Sequence, residues 1–257
     1  MNQENPYATP SANLSKGSLE DLVLSAPRKV SAAHGVDWIK DAFTLFKGNM
    51  GLWIAIVLVW MIATVLLSMI PLVSLVLTVL MPIFYGGILL GARAQDEGGE
   101  LEFSHLFAGF KHRTGRLAAV GGIYLAGFIL MMIVIIALVA GGAFIAGGAP
   151  NGDELNPATG LFLLLAMLIG MGMSIPLVMA YWFAPALVVF HDIGAFDAMK
   201  LSFRACLRNI LPFLLYGLLA MVLLFVGMIP LLLGLLFVGP ILVLTFYTSY
   251  KDVFSTE

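Results

Sequence analysis

Few side chains in this sequence could do chemistry: one cysteine, four histidines, and hydroxyl and indole groups set inside apolar tracts. His34, His105, His112 and His191 contain no i, i+4 pair of the kind that holds a metal on one helix face, and the i, i+7 spacing of His105 and His112 is a weak substitute. A lone Cys206 forms no internal disulfide or metal cluster and reads as a small residue on a helix face. His191-Asp192 has the types of an acid–base pair, yet it ends an apolar tract and reads as polar residues leaving a bilayer. Walker, dinucleotide-glycine and nucleophile-elbow patterns are missing. The sequence therefore offers no catalytic residue, no metal ligand and no cofactor site.

The polar groups within the apolar tracts are Thr64, Ser68, Ser74, Thr78, Tyr85, Tyr124, Ser174, Tyr181, Tyr216, Thr245 and Tyr247. Such groups mostly bond to backbone or to a neighbouring helix. If they line a path instead, Tyr85, Tyr181, Trp182 and Tyr247 are the lining to expect, for an uncharged or lipid-like substrate. No ionisable residue lies inside a tract away from its ends, which argues against a proton-coupled transporter, a voltage sensor or an intramembrane protease.

The elements that must position these groups follow from composition. With 61% hydrophobic and 11% charged residues among 257, the chain is far from a soluble domain, for which about 25% charged is usual. Charge-free tracts run over Gly48 to Ala92, Leu117 to Gly152, Leu155 to His191 and Asn209 to Tyr250. Since about 20 apolar residues cross a bilayer, the first and last tracts hold two spans each and the middle pair one each. Backbone in lipid must satisfy itself, so the spans are helical. The expected fold is all-α: six transmembrane helices near 52–70, 73–92, 117–146, 161–190, 210–229 and 231–250. Residues 1–33 read as a disordered tail and 34–257 as the membrane domain. No removable signal peptide is expected at the start.

Amphipathic stretches precede the tracts. Trp38, Ile39, Ala42, Phe43 and Phe46 fall on one arc; Phe103, Leu106, Phe107 and Phe110 recur at helical spacing; Phe196, Met199, Phe203 and Cys206 oppose Asp197, Lys200, Arg204 and Arg208. Each stretch carries an aromatic beside a cation, Phe46-Lys47, Phe110-Lys111 and Phe203-Arg204, so Lys47, Lys111, Arg204 and Arg208 are the expected interfacial basic residues. Ile-Pro-Leu recurs at 70–72, 175–177 and 229–231, with a second proline 11, 9 and 10 residues on. These regularities predict three parallel two-helix repeats, each preceded by an interfacial amphipathic helix. Gly87-x3-Gly91 is a weak signal for close approach of two membrane helices.

All 13 Lys and Arg fall in the amino-terminal segment, the second-to-third and fourth-to-fifth connections and the carboxyl tail, which predicts that both termini are cytoplasmic. Of the 15 acidic residues only Asp153 and Glu154 fall on the other side, so this face is formally near neutral. Membrane lipids and membrane proteins are the expected partners; a net charge of -2 and the lack of a basic, aromatic-interleaved patch argue against nucleic acid.

Trp38-Ile39-x3-Phe43-x-Leu45-Phe46, Ala92-Arg93-Ala94-Gln95-Asp96, Ala180-Tyr181-Trp182-Phe183-Ala184-Pro185 and Ser202-Phe203-Arg204-Ala205-Cys206-Leu207-Arg208-Asn209 resemble an uncharacterised family of six-span inner-membrane proteins from Gram-negative bacteria. More loosely, Pro176, Pro185, Ser202 and Asn209 are similar to a pattern of YciC-like proteins and of the membrane domain of some glycerophosphodiester phosphodiesterases. The resemblance covers about 28–252 and implies a cytoplasmic-membrane location and a hairpin architecture, without an activity. The leading functional expectation is a non-enzymatic scaffold, assembly or envelope-homeostasis component; the alternative is a transporter or channel for an uncharged or lipid-like substrate.

Overall fold

A computed structural model describes residues 26–145 and 157–255. All regular structure among them is helical: α1 (His34–Gly48), α2 (Met50–Ser68), α3 (Pro71–Asp96), a 3₁₀ helix (Phe103–Phe110), α4 (Thr114–Ile145), α5 (Pro157–Trp182), α6 (Ala184–His191), α7 (Ala195–Arg208), α8 (Ile210–Met228) and α9 (Leu235–Phe254). Five stretches are long and apolar enough to cross a membrane: Met50–Ser68, Leu72–Asp96, Thr114–Ile145, Thr159–His191 and Ile210–Met228. The stretch expected to be the sixth is not among them. Residues 229–234 form a turn in which Leu231 and Leu232 take left-handed backbone, so α9 begins four residues later than expected, and its second half is polar from Thr245 to Asp252.

Both ends of the described chain meet on one face, the terminal face. There α1, α6, α7 and the second half of α9 enclose the core, where Trp38, Phe46, Trp53, Phe183, Phe190, Leu244 and Phe254 are fully buried. At the opposite face Met69, Leu72, Phe144, Ile145 and Leu231 are each at least 70% exposed. That exposure carries no penalty against lipid tails, which are as apolar as leucine.

The amphipathic helices differ in detail from expectation. In α1 the buried stripe is Trp38, Ala42 and Phe46, while Phe43 faces out beneath the Lys47 ammonium, 4.9 Å from its ring centre. In α7 the buried face is Ala198, Met199, Ser202, Ala205 and Cys206; Phe196 is exposed. Small residues win the inner face because α5 and α6 pack so closely on it. The second amphipathic stretch is a 3₁₀ rather than an α-helix. Three residues per turn align Leu106 with Gly109 on one edge, and these two are buried. Gly109 lies where an added Cβ would sit 1.9 Å from the Ile83 carbonyl oxygen, and one on Gly87 would sit 2.4 Å from that of His105. The Gly87-x3-Gly91 pair thus seats the 3₁₀ helix, whereas another span was the expected neighbour.

Two further expectations shift. Residues 28–30, assigned to the tail, are docked: Arg28 N–H donates to Val253 O at 3.0 Å, and Asn209 holds Val30 N–H at 2.9 Å and Arg28 O at 2.9 Å. The rest of that tail up to residue 25, and most of the 148–160 loop, lie outside the described residues. The fourth span breaks at Phe183, two residues before Pro185, whose ring and missing N–H interrupt the helical ladder of the preceding turn. Ser202 of α7 repairs the break: its hydroxyl accepts Phe183 N–H at 2.9 Å and donates to Met179 O at 2.7 Å. The Ile-Pro-Leu prolines serve three different ends. Pro71 opens α3, Pro176 lies inside α5 where no turn is made, and Pro230 lies in the turn before α9.

Candidate functional site

Mid-way along the bundle, α2, α3, α4, α5 and α9 surround a cavity of about 450 Å³. Thr64 and Trp60 come from α2, Ser74, Thr78 and Tyr85 from α3, Tyr124 from α4, Val178, Tyr181 and Trp182 from α5, and Phe246 from α9, with Ser68 at the far end of α2. Most of the hydroxyls that the sequence scatters through its apolar tracts therefore converge on one space. Helical rise accounts for the depth: Tyr85 is eleven residues before Asp96 and Tyr124 ten after Thr114, so both lie about 15 Å from the terminal face.

The floor is aromatic, its rings meeting tilted or edge to face. Tyr85 meets Tyr181 at 6.3 Å and Phe246 at 5.0 Å between ring centres, Tyr124 meets Tyr181 at 4.9 Å, and Trp60 meets Tyr85 at 5.6 Å. Trp182 stacks on Phe246 at 4.2 Å and anchors its indole N–H on Ser249 Oγ at 3.2 Å. Behind this stack, Tyr216 and Thr245 share a 2.8 Å hydrogen bond. The floor closes the cavity toward the terminal face.

Within the cavity the hydroxyls divide into two groups. Ser68 bonds Val65 O at 2.8 Å and Thr78 bonds Ser74 O at 3.1 Å, which is ordinary helix back-bonding. Among the described residues the hydroxyls of Tyr85, Tyr124 and Tyr181 have no hydrogen-bond partner, and the Trp60 indole N–H, shut off from solvent, has none either. No charged side chain among the described residues lines the space.

Of the expected lining residues, Tyr85, Tyr181 and Trp182 share this cavity and Tyr247 does not. Tyr247 faces a separate polar cleft of about 440 Å³ at the terminal face, where its hydroxyl donates to Asp96 Oδ2 at 2.7 Å. Two carboxylates organise that cleft. Asp96 also takes the Lys251 ammonium at 2.6 Å; Asp252 accepts from Trp38 Nε1 at 2.7 Å, meets His34 Nδ1 at 2.9 Å and pairs with the Arg28 guanidinium. Nearby, Gln95 accepts from Trp53 Nε1 and donates to Leu45 O, both at 2.7 Å, tying α3 to α2 and α1. Partial burial, then the negative charges of Asp37 and Asp252, push the Asp41 carboxyl above its ordinary value. Burial pushes the Cys206 thiol up to about 12.

The interfacial basic residues Lys47, Lys111, Arg204 and Arg208 are all exposed. Among the described residues none of these four has an ion-pair partner, while Arg113 and Arg116 both pair with Asp192, locking the start of α4 to the link between α6 and α7. His191 Nε2 lies 2.5 Å from the Tyr250 hydroxyl, and Asp192 pairs with Arg113 and Arg116. Sequence reasoning missed Asp96, Asp252 and Asn209 as organising residues. Asp96 and Asn209 fall inside motifs quoted above, as do their neighbours Gln95 and Trp38; Asp252 falls outside them.

Over 204 residues, 74% of this chain, the sequence is 29% identical to a probable inner membrane protein of Burkholderia thailandensis, and the match covers 73% of that relative. No family model matches the chain, and no solved structure matches it. The likeness and the five apolar helices agree on a transmembrane protein of the inner membrane.

Proposed function

We propose that this protein is a non-enzymatic, six-span component of the bacterial inner membrane that serves as a scaffold or assembly factor, with both termini in the cytoplasm. One observation carries the reading: the terminal half is a hydrogen-bonded, buried core, and the Trp182–Phe246 stack lies between the mid-bundle cavity and that core. A rigid half-bundle ringed by the exposed cations Lys47, Lys111, Arg204 and Arg208 suits contact with anionic headgroups and with partner proteins. On this reading α9 is the sixth span. Its first half is apolar, and its polar second half is held by other helices, where Thr248 donates to Trp38 O at 2.8 Å.

The three-unit plan receives support from one pair of junctions. Asn49 joins α1 to α2 and Asn209 joins α7 to α8, each with its N–H on the carbonyl three residues back and its own carbonyl accepting from the residue four ahead. The middle unit departs from the plan, with a 3₁₀ helix in place of the amphipathic α-helix.

The transporter alternative draws on the cavity at Tyr85, Tyr181 and Trp182, and requires Trp182 to swing aside. Reconstituted protein in liposomes decides between the readings. The scaffold reading expects no movement of a lipid or neutral solute above empty vesicles, and specific proteins recovered on cross-linking through the terminal face. Flux that Tyr181→Ala abolishes would overturn it. Sidedness is read with cysteines placed at Glu100 and at Asp153 in a Cys206→Ser background: an impermeant reagent applied to spheroplasts should label the second and spare the first.

A further inference from the structure

We infer that the mid-bundle cavity is a binding site for the glycerol-ester region of a lipid, entered from the bilayer. Hydroxyls inside a membrane normally find a partner on the protein, since an unpaired one in apolar surroundings costs free energy. Among the described residues the hydroxyls of Tyr85, Tyr124 and Tyr181, each able to donate, find none. A space with surplus donors is completed by a ligand that brings acceptors. Because no charged side chain among the described residues lines it, the part of the ligand that enters is uncharged. Ester carbonyls meet both requirements, and a phosphate does not.

The volume of about 450 Å³ lies within the range of small-molecule sites, about 300–1,000 Å³. Access is lateral: Val65 on α2 and Ile175 and Val178 on α5, at or beside the lining, are exposed on the outside of the bundle. The closed floor makes the site blind, so it holds a lipid without conducting one. The inference stands on the cavity alone and does not depend on sidedness or on the scaffold reading.

Trp60 and Trp182 line the cavity whereas Trp38 and Trp53 are fully buried in the core, so tryptophan fluorescence reports occupancy. Purified full-length protein in nanodiscs is titrated with dibrominated diacylglycerol or with dibrominated phosphatidylcholine. Saturable quenching by diacylglycerol alone supports a free neutral lipid as the ligand; equal saturable quenching by both supports the ester region of a bilayer phospholipid. The double substitution Tyr85→Phe with Tyr181→Phe keeps the rings and removes two donors, and should weaken the apparent affinity about tenfold. Thr64→Phe, which fills the space, should abolish saturation while leaving the unfolding midpoint near that of the parent. Quenching that rises linearly for both lipids, as for random collision, overturns the inference. So does saturation that neither the tyrosine pair nor Thr64→Phe changes.

Discussion

Ser202 shows how much one hydroxyl can settle. It is fully buried and satisfies the Phe183 N–H and the Met179 carbonyl where the fourth span breaks before Pro185. Ser202→Ala leaves Phe183 N–H without an acceptor, and the variant should lose about 1–3 kcal/mol, read as a lower unfolding midpoint in detergent. Asp41 predicts the opposite sign. Its carboxyl is raised in the folded protein above the ordinary 3.8, so its favourable contribution is complete below that value and is lost as pH rises through the folded pKa. Asp41→Asn should therefore match or exceed the parent in stability at neutral pH, with the advantage gone near pH 3.5; thermal unfolding at the two pH values checks it. The elevated Cys206 thiol belongs to the same scale. A buried, protonated sulfur 3.5 Å from Met179 O is a packing group, so the native cysteine is a poor topology probe.

Among the elements, the amphipathic helices carry most of the organisation. Their periodicity was plain, but which arc faces protein was not, because Phe43 and Phe196 are as apolar as the residues that are buried. Lipid headgroup boundary and protein core both accept an aromatic ring, so hydrophobicity alone cannot choose between them; close packing can, and it selects Ala198, Ser202 and Ala205. The same limit hid the 3₁₀ helix, whose pattern at i, i+3, i+4 and i+7 fits an α-helix equally well until Gly109 is seen against Ile83. Asn209 joins two elements to a third, fixing residues 28–30 against the α7–α8 junction. Asn209→Ala should free that segment: amide exchange at 28–30 should rise by at least tenfold while α4 and α5 keep the parent rates.

At the scale of the whole molecule the two halves of the bundle obey different rules. The terminal half packs like a soluble core tied by hydrogen bonds and ion pairs, and the far half presents exposed apolar side chains to lipid. Exchange measured in nanodiscs should follow this division, slowest in α7 and the second half of α9 and fastest at 229–234 and at the ends of α2 and α3. A uniform profile would contradict the division. The sequence by itself determined that this is an all-helical membrane protein, which face gathers the cations, and that no charged group lies deep in a span, because the bilayer imposes length, hydropathy and charge rules that act locally along the chain. Only the tertiary structure decided that Tyr85, Tyr124 and Tyr181 share one cavity, that Tyr247 belongs to another site, and that Asp96 and Asp252 organise the terminal face. Those are facts of helix rotation and neighbour choice. In lipid they are fixed by packing between helices, which a pattern of apolar residues repeated on every side of a span does not encode.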